Sequence, residues 1–138
     1  MHFRLIDQVI ERQASRLVAI KQVSLSEEYL QDHFPTFPVL PGVLMLEAMT
    51  QAARELADPD GRASPPLVLG GVRALKYGRF VTPGSTIRVT VERKSEAGHT
   101  PVDCKGTVEF VGEEGGVAAS GRISLRPAVV PSVGAAGR

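Results

Sequence analysis

One stretch of helical pattern, residues 42–57, most constrains how this chain can fold. Its apolar side chains recur at helical spacing and, in the first turns, occupy nearly every side of the helix. A helix that is apolar on all sides is typical of a buried helix, so other parts of the chain have to surround it. Pro35, Pro38 and Pro41 precede it and predict a stiff, extended loop that leads directly into the first turn.

The rest of the chain supplies strands that can surround this helix. Residues 5–10 and 16–23 are β-rich and predict a hairpin, and a short helical turn is expected at residues 26–31. Four strand-like runs follow the helix, at residues 67–77, 85–93, 102–110 and 116–125. No helical pattern lies between these later runs, so parallel crossovers are not expected. We therefore predict an α+β fold in which an antiparallel sheet wraps around one long central helix.

Length and composition favour one domain. The chain has 138 residues, of which 43% are hydrophobic, and a chain of about 150 residues can bury a stable core without disulfides or metals. We expect a single domain over residues 1–126 and a flexible tail over residues 127–138, where small residues and prolines dominate.

Charge, cysteine content and hydropathy exclude several classes of protein. Sixteen Lys and Arg balance fifteen Asp and Glu without a block of like charge, so neither nucleic acid nor a membrane is expected as a partner. The most apolar segment, residues 39–49, is too short to span a bilayer. Cys104 is the only cysteine and has no Cys or His at metal-ligand spacing, so we expect neither a disulfide nor a metal site. These features predict a soluble, cytoplasmic protein that needs no cofactor.

Three features near the start of the predicted helix could carry chemistry. Glu47 places a carboxylate among apolar neighbours, where a charge is costly to bury. His33 opens the proline-rich loop and can titrate near neutral pH. The first helical amides, at Gly42 and Val43, lack intrahelical acceptors and could polarise a carbonyl oxygen. Each feature has an ordinary alternative, namely a solvated carboxylate, a structural histidine and a simple helix start.

Taken together, a base, an acid and an oxyanion donor form the set needed for one kind of reaction. They could remove a proton next to a carbonyl group and expel a hydroxyl group from the β-carbon.

The segment from residue 33 to residue 51 resembles a family signature. It reads HFPTFPVLPGVLMLEAMTQ and matches every fixed letter of H-F-P-x-x-P-V-x-P-G-V-L-x-x-E-A-x-x-Q, the signature of FabZ-type (3R)-3-hydroxyacyl-[acyl-carrier-protein] dehydratases. The resemblance extends over residues 3–126 and implies the hotdog fold, an antiparallel β-sheet around one long central α-helix. It also implies dehydration of (3R)-3-hydroxyacyl thioesters, bound to an acyl carrier protein, to trans-2-enoyl thioesters in fatty-acid or related acyl-chain synthesis.

The resemblance also implies a role for each candidate residue. His33 matches the general base that takes the proton from C2, and Glu47 matches the acid that protonates the departing 3-hydroxyl group. Gly42 matches the glycine whose amide binds the thioester carbonyl, with Val43 beside it. In this family the histidine and the acid of one site come from two subunits, so a homodimer is implied, and assembly into a trimer of dimers stays open.

The chain departs from the family pattern at two positions, and two other functions stay open. Asp32 and Thr36 stand where the family commonly has glycine, so the active-site loop could differ. A hotdog-fold acyl thioesterase would use a carboxylate to direct water at the thioester, although the HFP histidine argues against it. A catalytically silent acyl-binding or assembly partner would keep the fold without the reaction.

Residues 73–80 contain further candidates for contacts outside the catalytic set. Arg73, Lys76 and Arg79 could meet an acidic carrier protein, but spaced basic residues on a strand edge also discourage aggregation. Tyr77 and Phe80 could line an acyl tunnel or pack into the core.

Overall fold

A computed structural model describes residues 4–24, 39–112 and 115–129. The helical turn expected at residues 26–31 and the candidate base His33 lie outside the described residues. One helix and six strands follow each other within the described part: β1 (Gln8–Arg12), β2 (Arg16–Gln22), α1 (Gly42–Ala57), β3 (Leu67–Tyr77), β4 (Thr86–Arg93), β5 (Val102–Phe110) and β6 (Val117–Pro127). In these three ranges no helix is both long and apolar enough to cross a lipid bilayer.

The strands form a single sheet in the order β1-β2-β4-β5-β6-β3, and every neighbouring pair is antiparallel. The helix packs against β2 to β6 of this sheet, and its Glu55 also contacts Arg12 of β1. The predicted α+β fold class, with an antiparallel sheet and one long helix, is therefore confirmed. Within the described chain, β1 and β3 are the two edge strands.

Alternation along the strands explains why the sheet packs its inner face on α1. In β4, Ile87, Val89 and Val91 are fully buried, and the register places Val89 opposite Val108 and Val91 opposite Gly106 of β5. Side chains at alternate positions share a face of a sheet, so these apolar residues form one continuous surface toward the helix.

The helix has the predicted bounds, but only one of its faces is buried. The buried side chains recur at helical spacing and belong to Met45, Ala48, Met49, Thr50, Ala52, Ala53 and Leu56. On the opposite face Val43 is 66% exposed, while Leu44, Leu46 and Glu47 are half-buried. The expectation of a helix buried on all sides is therefore wrong for one protomer, because a single open sheet can cover only one face.

The amino-terminal run begins differently from the prediction. The first strand was predicted from residue 5, but β1 begins at Gln8 and continues through Arg12. Leu5 and Ile6 are buried without belonging to a strand, because the backbone N–H of Leu5 donates its hydrogen bond to the side chain of Gln51 at 2.8 Å. The run is apolar because it packs next to the helix.

The last strand extends two residues past its predicted end. Pro127 lies opposite Leu67 on β3, and the N–H of Ala128 donates to the carbonyl oxygen of Pro66 at 2.8 Å. A proline is tolerated here because it closes the strand, where its missing N–H interrupts no central ladder. The tail predicted over residues 127–138 is described only to residue 129.

Gly106 of β5 lies close to the helix, and a larger residue there should destabilise the protein. A Cβ atom at this position would lie 2.5 Å from Sδ and 3.3 Å from Cβ of Met49, which is fully buried. We expect Gly106→Ala to lower the free energy of unfolding by about 1–3 kcal/mol through overpacking, measured by denaturant unfolding. Gly71→Ala is the control, because its Cβ would meet only the Ser124 hydroxyl at 3.0 Å. Equal stability of Gly106→Ala and the wild type would contradict this packing.

Candidate active site

The start of α1 presents two unused hydrogen-bond donors. Pro41 precedes the helix without a side-chain cap, and its carbonyl oxygen accepts from the N–H groups of Leu44 and Met45 at 3.0 and 3.3 Å. Among the described residues, the N–H groups of Gly42 and Val43 have no acceptor. The first turn also carries no acidic residue. These amides therefore lie at the positive end of the helix dipole, free to bind an oxygen atom.

The ring of Tyr77 lies directly over the helix start. A Cβ atom at Gly42 would be 2.8 Å from Cε1 and Cζ of Tyr77 and 3.1 Å from its Oη. Only a glycine leaves room for this ring, because any side chain would displace it. Tyr77 is 52% exposed and Phe80 is 68% exposed, so neither residue belongs to the core of the protomer. Tyr77 forms a wall beside the free amides.

Glu47 lies one turn further along the same face of the helix as Val43. Its side chain is 41% exposed, and its Oε1 accepts from Nε2 of Gln51 at 3.3 Å and from Nη2 of Arg54 at 3.5 Å. In the protomer Glu47 therefore fits the ordinary alternative, a solvated carboxylate, since the sheet covers the other face of α1. A second chain on the exposed face would be needed to desolvate it.

The described residues form a cleft near α1 whose lining does not include this carboxyl. A cleft of about 480 Å³ opens beside the second half of α1, and its lining includes Gln51, Arg54 and Leu67 but not Glu47 or Gly42. The structure places Gly42 and Val43 at the start of α1 and Glu47 one turn beyond Val43. His33 lies outside the described residues, so the place of the base stays a prediction. In the described ranges no cluster of His, Cys, Asp and Glu could hold a metal ion.

The three basic residues grouped by the sequence separate in the structure. The guanidinium of Arg79 stacks 4.6 Å above the ring of Phe110 and donates to the carbonyl oxygen of Gly115 at 2.6 Å. Arg73 and Lys76 instead lie on β3, exposed on the outer side of the sheet.

Two distant residues join Arg73 and Lys76 on that side. Arg73 is directly opposite Arg122 of β6, and Arg122 is directly opposite Lys105 of β5. We refer to Arg73, Lys76, Lys105 and Arg122 as the basic outer face. None of the four forms an ion pair with a described residue. Lys105 and Arg122 were not predicted to join this group, because only strand register brings them beside Arg73. Their alternation with buried neighbours was the available signal.

Cys104 is excluded from the chemistry by its surroundings. It lies on β5 and is 1% exposed. Burial raises the pKa of its thiol from 9.0 to about 11; the charge of Arg93 lowers the pKa and that of Asp103 raises it. A buried thiol that stays protonated is a poor nucleophile.

Solved structures with a similar backbone define the fold. The dehydratase heterocomplex ApeI:P from Xenorhabdus doucetiae aligns with a TM-score of 0.65 at 20% identity, covering 91% of this chain and 84% of that chain. An uncharacterized protein from Erwinia carotovora subsp. atroseptica aligns with a TM-score of 0.64 at 21% identity, covering 88% and 91%. At this level of identity the likeness shows the fold alone, and the fold is the hotdog fold.

Sequence comparisons then give the family. Residues 9–121 match the family model described as ApeI-like, ApeI dehydratase. A 3-hydroxyacyl-[acyl-carrier-protein] dehydratase FabZ from Ruminiclostridium cellulolyticum is 38% identical over 129 residues, covering 89% of this chain and 85% of the relative. FabZ from Anaeromyxobacter dehalogenans is 42% identical over 101 residues, covering 70% of this chain and 65% of that relative. The chain therefore belongs to the ApeI-like dehydratase family, and the resemblance to FabZ-type dehydratases inferred from its HFP segment is confirmed.

The state of Cys104 leads to a prediction about thiol labelling. With a pKa of about 11, about one thiol in a thousand is ionised at pH 8, and burial excludes the reagent as well. We expect a disulfide reagent such as DTNB to label the native protein at pH 8 far more slowly than the protein unfolded in guanidinium chloride. Labelling should accelerate as the pH rises toward 11. Equal rates for the native and unfolded protein would contradict the burial of this thiol.

Proposed function

We propose that this protein removes water from (3R)-3-hydroxyacyl thioesters carried on an acyl carrier protein, giving trans-2-enoyl thioesters in fatty-acid or related acyl-chain synthesis. The observation that carries the proposal is the start of α1, where the amides of Gly42 and Val43 are unused and the half-exposed Glu47 lies one turn beyond Val43. Membership of a dehydratase family supports the reaction type. A reducing cytoplasm suits a chain whose one thiol, Cys104, is buried and unpaired.

In the proposed reaction the helix start binds the thioester carbonyl oxygen. The N–H of Gly42, with that of Val43 beside it, stabilises the negative charge that develops on this oxygen as C2 loses its proton. The imidazole of His33 takes that proton, and the electron pair forms the double bond between C2 and C3. The bond from C3 to oxygen breaks, and Glu47 gives the departing hydroxyl group the proton that makes it water.

A homodimer is proposed as the unit that completes this site. The helix face that carries Glu47 is open in the protomer, and Val43 on it is 66% exposed. The edge strand β3 is paired on one side only among the described residues, and Val72 and Tyr77 on it are exposed. A second copy covering these surfaces would exclude water from the carboxyl and bring in His33 of the partner subunit.

A thioesterase is the second candidate, and one observation favours it. In the protomer the carboxyl of Glu47 is half-exposed beside the guanidinium of Arg54, which suits a carboxylate that directs water at a carbonyl carbon. The two functions differ in their products, because hydrolysis releases a free thiol and dehydration does not.

Substitutions of the two proposed catalytic residues test the reaction. We expect His33→Ala and Glu47→Gln each to lower the rate of dehydration by about 10²- to 10⁴-fold, the usual value of general acid or base assistance. Stability should change little for Glu47→Gln, since the side chain is 41% exposed. The assay follows enoyl absorbance with crotonyl and 3-hydroxybutyryl thioesters. Glu55→Gln is the matched control, because Glu55 is another helix carboxylate paired with an arginine, at 3.1 Å from Arg12.

The same variants separate the candidate functions and test the dimer. Free thiol without a change in enoyl absorbance would favour the thioesterase, and binding without turnover would favour a silent acyl-binding partner. If each site combines His33 of one subunit with Glu47 of the other, co-refolding the two inactive variants should restore roughly a quarter of wild-type activity, through mixed dimers with one intact site. No recovery would contradict the shared site.

The carrier protein is proposed to dock on the basic outer face. Arg73, Arg122 and Lys105 stand directly opposite each other across three strands. Like charges in such positions destabilise a sheet. An acidic partner would neutralise this unpaired positive charge and would be steered toward it. The basic surface predicted from residues on β3 therefore extends over two further strands, β5 and β6.

Charge reversal on the basic outer face should raise KM for carrier-bound substrate only. We expect the double variant Arg122→Glu and Lys105→Glu to raise KM for an acyl-carrier-protein substrate about 10-fold, with a weaker dependence on salt. Turnover of a short, carrier-free thioester should be unchanged, because the chemistry lies on the other side of the sheet. Arg88→Gln is the control, since Arg88 lies on β4, two strands away from Arg122. An unchanged KM for the double variant would contradict docking at this face.

A further inference from the structure

Gln51 connects the amino-terminal segment to the carboxyl group of Glu47. Its Oε1 accepts the backbone N–H of Leu5 at 2.8 Å, and its Nε2 donates to Oε1 of Glu47 at 3.3 Å. A backbone N–H can only donate, so the carbonyl end of the Gln51 amide must face Leu5. The NH₂ end must then face Glu47. The hydrogen-bond chemistry therefore fixes the orientation of this amide.

The backbone that fixes the amide is itself anchored. The side chain of Leu5 is 1% exposed and belongs to the core. Two residues later, the N–H of Asp7 donates to the carbonyl oxygen of Ile20 on β2 at 2.7 Å. The position of the Leu5 amide is thus set by the core and the sheet, and Gln51 transmits that position to the exposed face of α1.

The two donors that reach Glu47 converge on the same oxygen atom. Arg54 approaches Oε1 at 3.5 Å, and Gln51 approaches it at 3.3 Å. Oε2 accepts no hydrogen bond from any residue that the structure describes. One oxygen of the carboxyl is therefore held against the helix, and the other is left for a ligand.

We propose that Gln51 is a positioning residue for the dehydration, holding Oε1 of Glu47 so that Oε2 delivers the proton to the departing hydroxyl group. The proposal rests on the proposed function, in which Glu47 is the acid. Arg54 contributes less to the orientation, because its side chain is 43% exposed and an exposed ion pair holds a geometry weakly. Gln51 instead combines a short bond to an anchored backbone group with a bond to the carboxyl.

The test removes the Nε2 donor of Gln51 but keeps an oxygen that can accept the hydrogen bond from the N–H of Leu5. Gln51→Glu keeps the side-chain length and an oxygen that can accept the N–H of Leu5, but at pH 8 it presents an acceptor to Oε1 of Glu47. We expect kcat to fall about 10- to 100-fold, as expected for a misplaced catalytic group, while KM and the thermal midpoint stay close to the wild-type values. A purely structural role would lower the thermal midpoint or raise KM.

Gln13→Glu is the matched control. Gln13 also donates from Nε2 to a carboxylate, Oε2 of Glu11 at 3.4 Å, but at the turn between β1 and β2, remote from α1 in the sequence. It should show wild-type kinetics. Loss of kcat in Gln13→Glu equal to that in Gln51→Glu would overturn the proposal.

A double-substitution cycle shows whether Gln51 acts through Glu47. In the Glu47→Gln background, adding Gln51→Glu should leave the residual kcat within about twofold, because the group being positioned is already gone. A wild-type kcat in Gln51→Glu, or a full additional loss in the double variant, would overturn the positioning role while leaving the proposed function intact. Full activity of Glu47→Gln would overturn both.

If the wild-type protein dehydrates no 3-hydroxyacyl thioester, that result alone overturns the proposed function. The positioning geometry would then be decided by a crystal structure of Gln51→Leu, which loses both hydrogen bonds. A rotated Glu47 carboxyl would support the holding role of Gln51, and an unmoved carboxyl would overturn it.

Discussion

The packing of one face of α1 against the inner face of the sheet is the constraint on which the rest of the molecule depends. The buried stripe on α1 sets the rotation of the helix about its own axis, and the close approach of Met49 to Gly106 sets its distance from β5. Once that rotation is set, Val43, Glu47 and Gln51 must lie on the opposite face, because they are separated by multiples of one turn. Core packing therefore also determines that Glu47 and Gln51 lie on the helix face away from the sheet.

Much of the fold could be predicted from periodicity, because each element has a strong local signal. The helix bounds at Gly42–Ala57 and the strand bounds at Leu67–Tyr77 and Val102–Phe110 agree with the prediction. The start of β1 could not be predicted in this way, since Leu5 is apolar for contact with the core while its N–H is used by a side chain of α1. An apolar run predicts that its side chains are buried. The hydrogen-bond partner of its backbone depends on the tertiary structure.

The helix start of the candidate site was predictable from the sequence, and the surroundings of Glu47 were not. The helix start after Pro41 follows from local sequence, and the free amides of Gly42 and Val43 follow from helix geometry. The open environment of Glu47 could not be predicted from local sequence. Apolar residues on all sides of a helix do not indicate whether the same chain or a second copy covers them. The positive charge that Lys105 and Arg122 add beside Arg73 depends on strand register, which joins residues far apart in the sequence.

The overlap of Gly42 and Tyr77 links two positions that are 35 residues apart. The aromatic ring occupies the volume that a methyl group at position 42 would need, so a larger residue at one position becomes acceptable only with a smaller residue at the other. Substitutions at Gly42 are therefore restricted by Tyr77 at the end of β3. The two positions should change together or not at all. Redesign of the protein for bulkier acyl chains would have to treat them as a pair.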